Sequence, residues 1–303
     1  SMLGAPDMPG GGPTELRVPR PPCHTAAYAT IPDEGQAVNM MRATRSFLVL
    51  LVLLASHLTA LSSAAEPSER NALFQVSTLS ALLAGLYDGV VNFAALSVHG
   101  DFGIGTIDRL DGEMIEVNGV FYRIAADGTA HRVSDDATTP FACVTFFDPD
   151  LTAELPQGMN YADISDFLTT LLPTCNLFYA IRVDGTFSYV RARSVPAQEP
   201  PYRPLTAVVA EQSEFEFRDV EGTLIGFRCP DFVAGLNVAG DHFHFITKDR
   251  TAGGHVLDLV IANATLMVDI TPTFVLELPL GNEPFYTIDL SEDVEQATEA
   301  VEK

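Results

Sequence analysis

Asp241-His242-Phe243-His244-Phe245-Ile246-Thr247 runs through Lys248 to Gly254 and on to His255. The reading of this stretch organises the chain. A strand alternates its side chains between two faces. As a strand, the stretch sends His242 and His244 to one side and Phe243 and Phe245 to the other. Thr251-Ala252-Gly253-Gly254 has turn chemistry. His255-Val256-Leu257-Asp258-Leu259-Val260 then reads as a returning strand. A hairpin would bring His255 beside the first two imidazoles. Three neutral nitrogens from paired strands make an open site for zinc or a similar divalent ion, with coordination positions left for water or substrate. A bare His-x-His also occurs as two solvated side chains, so the remainder of the chain has to decide.

The chain has 303 residues, 47% of them hydrophobic, enough for one large or two modest domains. Arg42 and Arg45 precede an apolar run, Phe47 to Ala55, and then Ser62-Ser63-Ala64-Ala65. A positive region, a short apolar core and a small-residue cleavage site define a secretory signal peptide over about 40–65. The run is too short to span a bilayer comfortably. Residues 1–39 are rich in Pro and Gly, and the natural start is expected at Met40 or Met41. Residues 1–65 are therefore expected as a non-mature leader, with an exported mature chain, periplasmic or secreted. Of the net charge of −23, none comes from residues 1–65, which hold four arginines against four acids. Such a surface repels nucleic acid and anionic membranes. An anionic substrate would need a local cation. Cys143, Cys175 and Cys229 show no metal spacing and read as core thiols rather than a disulfide framework.

Along the chain, Ser77 is a candidate cap for a short helix with Leu79, Leu82, Leu83 and Leu86 on one face. Val90 to Val98 is strand-like. Gly100, Gly103 and Gly105 suggest backbone packed closely against something, and their spacing matches no phosphate-binding loop. Met114–Val117, Asn118-Gly119 and Val120–Ile124 form a clear hairpin signal. Asn160 caps a helix from Tyr161 to Leu172, stopped by Pro173. Leu177–Val183, Asp184-Gly185 and Thr186–Arg193 read as a second hairpin, with Phe187, Tyr189, Arg191 and Arg193 sharing a face. Two arginines among aromatics are either exposed or aimed at an anion. Gly185-Thr186-x4-Arg191 and Gly222-Thr223-x4-Arg228 echo each other, by duplication or by chance. A helix over Leu205, Val208, Val209 and Gln212 leads to strands at 214–217, 222–228, 264–270 and 274–278. A capped tail helix is expected over Ser291–Lys303, with Val294, Ala297 and Val301 on one side. The pattern predicts α+β: sheet-rich, two-domain, with mixed and antiparallel sheets and a few short helices. The natural cut follows the Pro-rich link Ala197–Pro204, separating an N-terminal sheet domain, 66–204, from a C-terminal one, 205–303, that holds the histidine hairpin and the tail helix.

Several motifs then occur in one order: Gly105-Thr106-x3-Leu110-Asp111-Gly112-Glu113, Arg191-Ala192-Arg193-x-Val195-Pro196, Gln212 to Phe217, Gly222 to Phe227, and His242-x-His244-Phe245-Ile246-Thr247 with Gly253-Gly254-His255. From about Leu73 to the C-terminus the chain resembles the alpha-acetolactate decarboxylases. The resemblance implies a two-domain, sheet-rich protein, dimeric, carrying zinc and converting 2-acetolactate to (R)-acetoin and CO2. It places the ligands on His242, His244 and His255, the active-site glutamate on Glu113, the arginine on Arg193 and a pocket threonine on Thr106. A second glutamate from the tail falls on Glu302, with Glu299 as the other position. Under that reading zinc chelates the substrate hydroxyl and ketone and stabilises an enediolate. Arg193 supplies the missing local cation. Its pKa above 12 argues that it acts through a water or beside a glutamate rather than as an acid itself. Glu113 holds water or shuttles a proton.

Two alternatives stand beside it. A cupin-like metal enzyme acting on another small oxo-acid would need a fourth ligand soon after His244, for which Asp249 is the candidate. A non-catalytic exported metal-binding protein would hold metal without turnover.

Overall fold

Asn118 and Gly119 both adopt positive φ, 53° and 71°, as a tight two-residue hairpin turn requires. The expected hairpin therefore forms, and it lies in the largest of the three sheets among the described residues. The structure is a computed structural model that describes residues 70–291 and 294–302. The leader expected over 1–65 lies outside the described residues.

In chain order the first elements are β1 (Ala72–Val76), α1 (Leu79–Leu83), β2 (Val91–Asn92), α2 (Phe93–Leu96), β3 (Phe102–Thr106), β4 (Glu113–Val117), β5 (Val120–Ile124) and β6 (Ala130–Arg132). Next come β7 (Thr138–Thr139), β8 (Ala142–Thr145), β9 (Leu151–Leu155), α3 (Tyr161–Leu171) and β10 (Phe178–Ser194). The remainder is α4 (Leu205–Val209), β11 (Ser213–Cys229), β12 (Gly240–Thr247), β13 (Gly253–Thr271), β14 (Thr273–Glu277), α5 (Glu283–Thr287) and α6 (Glu295–Glu302). Among the described residues, a seven-stranded sheet runs β14-β1-β8-β3-β4-β5-β6 and a five-stranded sheet runs β10-β11-β12-β13-β9, with β10 also paired to β13. β1 and β14 are parallel and the other neighbours antiparallel, so the mixed, sheet-rich α+β expectation holds.

One core lies where the sheets meet: Phe102, Ile104 and Ile115 from the first join Ala180, Phe227 and Ile246 from the second. A second core packs α3, through Ile164 and Leu168, on the other face of the five-stranded sheet. A third covers the outer face of the seven-stranded sheet with Phe93 and Leu96.

Several expectations change. The strands do not divide at residue 204: β9 and β10 belong to the sheet of β11 to β13, while β14 returns beside β1. The Pro-rich link only carries the chain from β10 to α4. Asp184-Gly185 is no turn but the middle of β10. Gly185 lies between Gly222 on β11 and Ala264 on β13, and a Cβ there would collide with the Asn263 carbonyl. The echo between the two Gly-Thr motifs thus marks one close crossing, since the two glycines are cross-strand partners. Gly253-Gly254 likewise opens β13, and the turn lies over 248–251. Thr78, not Ser77, caps α1 by accepting from the Ala81 amide. Asn92 ends the strand expected over 90–98, because its side chain caps α2. Helix α3 begins with the capping box of Asn160 and Asp163. The alternate glycines behave as expected: side chains at Gly103 and Gly105 would run into the backbone of β8. Cys143 and Cys229 are buried thiols, whereas Cys175 is exposed beyond α3.

Glu116 of β4 is fully buried, and neither carboxyl oxygen has a hydrogen-bond partner among the described residues. Burial, with Asp101 nearby, pushes its pKa from 4.5 up to about 9. The folded chain keeps a proton that the unfolded chain releases. This group's stability contribution is therefore complete below pH 4.5 and is lost as pH rises toward 9, on the order of 6 kcal/mol across the window. Glu116→Gln should flatten the fall of Tm between pH 5 and pH 9, followed by circular dichroism; an unchanged alkaline slope would refute the assignment.

Candidate metal centre

β12 and β13 pair with His244 opposite His255, and strand alternation puts His242 on the same face. One ligand atom from each of the three imidazoles lies within 4.8 Å of the others. His244 Nδ1 lies 2.9 Å from the Met114 carbonyl oxygen. A carbonyl only accepts, so Nδ1 carries the proton and Nε2 presents a bare lone pair. Nε2 of His244 and Nε2 of His255 are both buried without a hydrogen-bond partner. His242 Nε2 lies 3.1 Å from His255 Nδ1. Burial first, and the Arg193 charge second, lowers His242 to about 3. Burial also depresses the other two. All three are therefore neutral near pH 7, the form that binds a metal. Orphaned inward nitrogens on neutral imidazoles fit a divalent ion that prefers nitrogen ligands.

The carboxyls come from opposite ends of the chain. Glu113 opens β4 across from Thr106 on β3. It is 7% exposed, not the solvated edge acid that its position next to a turn also allows. Its Oε2 lies 3.5 Å from His244 Nε2. Helix α6 brings in the tail, with Val301 buried and Val294 and Ala297 against the core between the sheets. Glu302 Oε2 then lies 3.8 Å from Nε2 of both His242 and His255. Glu299 is exposed and lines no part of this pocket. Burial raises Glu113 to about 7, opposed by Arg193 and aided by Glu302. Burial raises Glu302 to about 7, again opposed by Arg193.

Arg193 ties these parts together. It is the cross-strand partner of His255. Gly254 permits the approach, since a Cβ there would press on the Arg193 backbone. Nη1 donates to Glu113 Oε1 at 3.0 Å and Nη2 donates to the Val301 carbonyl at 2.7 Å, while Nε is buried without a partner. Bulges in the β10–β13 pairing break the expected shared face. Phe187 joins the core under α3, Arg191 pairs with Glu214 at the surface, and Arg193 turns inward. Thr106 lines the pocket and donates its hydroxyl proton to the Gly112 carbonyl at 2.7 Å. All seven expected residues thus meet around one pocket. An apolar wall that includes Leu79, Leu110, Phe141, Val195 and Leu205 completes it. Sequence reasoning did not single out this wall, nor the Met114 and Val301 carbonyls; a backbone oxygen has no residue-type signature. Asp249, the cupin-like candidate ligand, instead accepts from the Thr247 and Thr251 hydroxyls in the turn.

Residues 73–292 match the family model of alpha-acetolactate decarboxylase. The alpha-acetolactate decarboxylase of Methanosarcina mazei is 52% identical over 231 residues, covering 76% of this chain and 80% of that protein. The crystal structure of the Bacillus subtilis alpha-acetolactate decarboxylase superposes with a TM-score of 0.74 at 40% identity, covering 76% of this chain and 99% of that one. A Staphylococcus aureus structure described as similar to alpha-acetolactate decarboxylase gives 0.73 at 33% identity, with the same two coverages. Fold, site and relatives together define an enzyme of the carboxy-lyase class, a decarboxylase. The chain belongs to the alpha-acetolactate decarboxylase family.

Proposed function

We propose that the chain converts 2-acetolactate to (R)-acetoin and CO2 with zinc held by His242, His244 and His255. The observation that carries this reading is the pair of buried, partnerless imidazole nitrogens facing two raised carboxyls and a buried guanidinium. Zinc in that position supplies a Lewis acid for the electron pair released when the carboxylate leaves. Arg193 provides positive charge within a strongly acidic chain, and its free Nε is the donor for the substrate carboxylate. The C–C bond to the carboxylate breaks, CO2 departs, and the electron pair moves toward the neighbouring carbonyl oxygen. One proton then returns to the carbon that lost CO2, so each turnover consumes one proton. Glu113 and Glu302, poised near neutrality, hold and deliver that proton. Delivery from the side where they sit sets the chirality. The apolar wall excludes water and faces the substrate's methyl groups.

The same reading carries a homodimer, from the family, and export, from the leader. No helix among the described residues is long and apolar enough to cross a membrane. The test is acetoin formation from racemic acetolactate, resolved by chiral chromatography. Activity should disappear on chelation and return with zinc. Folded protein that holds one metal ion per chain and makes no acetoin would overturn the proposal.

A further inference from the structure

The strand face opposite the pocket carries a polar network that the reaction does not use. Arg228 on β11 and Asp241 on β12 are cross-strand partners, and Asp241 immediately precedes His242. Their side chains are 12% and 4% exposed. Arg228 Nε and Nη2 donate to Asp241 Oδ1 and Oδ2, each at 2.6 Å, a two-pronged ion pair. Helix α3 closes over it. The Ser165 hydroxyl donates to Asp241 Oδ2 at 2.6 Å, and Arg228 Nη2 donates to the Ser165 carbonyl at 2.8 Å. Arg228 Nη1 reaches the Thr169 hydroxyl at 3.0 Å, and the Tyr161 hydroxyl donates to the Asp241 carbonyl at 3.0 Å. Both the side chain and the backbone of Asp241 are thereby held.

A buried ion pair is weak evidence for stability, because desolvation offsets most of its attraction. What distinguishes this pair is its place. His244 is oriented from outside the site by the Met114 carbonyl. The polar neighbours of His242 among the described residues, His255 and Glu302, belong to the site itself. Its aim therefore depends on the backbone at the start of β12, where the chain enters through Gly240 at φ 92°. We infer that Arg228 and Asp241 are positioning residues that fix His242 as a metal ligand through the strand. This inference rests on the metal reading above.

Cobalt(II) is the probe, added to the full chain after chelation, with the visible bands, the cobalt Kd and the Tm of the metal-free protein as readouts. Asp241→Asn and Arg228→Gln should weaken cobalt binding about 10–100-fold and shift the bands, as loss of an outer partner does at other metal sites. Ser165→Ala removes part of the network and should shift both readouts less, in the same direction. It keeps the test alive if the charged variants do not fold. Leu168→Ala loosens the same helix through its apolar face, where Leu168 is fully buried. It should lower Tm while leaving the bands and Kd at wild-type values. Equal shifts in Leu168→Ala, or wild-type bands and Kd in the network variants that fold, would overturn the inference alone. A wild-type chain that takes up no cobalt would remove the metal reading, and this inference with it.

Discussion

Arg193→Ala should lower kcat/KM by about three orders of magnitude, the scale seen when an aimed charge or donor is removed from a buried site. Zinc should remain bound, because no ligand is removed. The expectation follows from two simultaneous contacts and a buried charge. Nη1 holds Glu113 and Nη2 holds the tail through the Val301 carbonyl, while Nε is buried without a partner. Alanine loses the cation and releases both carboxyl-bearing segments. The electrostatic consequence has a definite sign. Arg193 opposes the upward shift of Glu113 and Glu302, so its loss raises both above about 7 and keeps them protonated to higher pH. It also helps depress the histidines, so its loss raises their pKa values, but burial, the larger cause, still holds them below the usual imidazole range. Lysine is a poor substitute, since a point charge cannot span Glu113 and Val301 at once. Acetoin formation and zinc per chain, measured on the same preparation, check the prediction. Unchanged turnover, or activity lost together with zinc, sinks the role.

Glu302→Gln should lower kcat about 10²–10⁴-fold, the range of a lost general acid or base, while Glu299→Gln leaves it unchanged. The two glutamates share one short helix. One turns into the pocket 3.8 Å from two imidazoles and the other faces solvent. Glutamine keeps the size of Glu302 and the docking of Val301 but cannot donate and recover a proton. With both carboxyls near 7, the wild-type rate should fall as pH rises through that value, because the proton-bearing form is depleted. If Glu302 is the donor, that alkaline limb should be missing from the residual activity of Glu302→Gln. Equal losses in the two variants would show that the tail matters by covering the pocket rather than by its carboxyl.

Much of this was legible along the chain. Period-two alternation put His242 and His244 on one face, and the return strand brought His255 to them. Asn118-Gly119 marked its hairpin and Asn160 its helix. The ordered motifs pointed to Glu113, Thr106 and Arg193. The histidine pairing, the hairpin and the helix follow from interactions within a few residues, and the ordered motifs come whole from the family resemblance.

The misreadings share a cause. Asp184-Gly185 and Gly253-Gly254 look like turns, because a glycine that allows close approach and a glycine that allows a bend are the same letter. Which one it is depends on what packs beside it: Asn263 and Ala264 in one case, the Arg193 backbone in the other. The face of Arg193 depended on bulges, and a single inserted residue reverses every side chain beyond it.

The sequence by itself determined the sheet-rich class, the three histidines and the family, since side-chain period and residue type are local properties. Only the tertiary structure put Glu302 rather than Glu299 at the pocket, set Arg193 against His255, aimed His244 with a carbonyl and raised the pKa values of Glu113 and Glu302 to about 7. Those outcomes come from burial and from contacts between residues distant in the chain, and desolvation has no counterpart in an unfolded sequence.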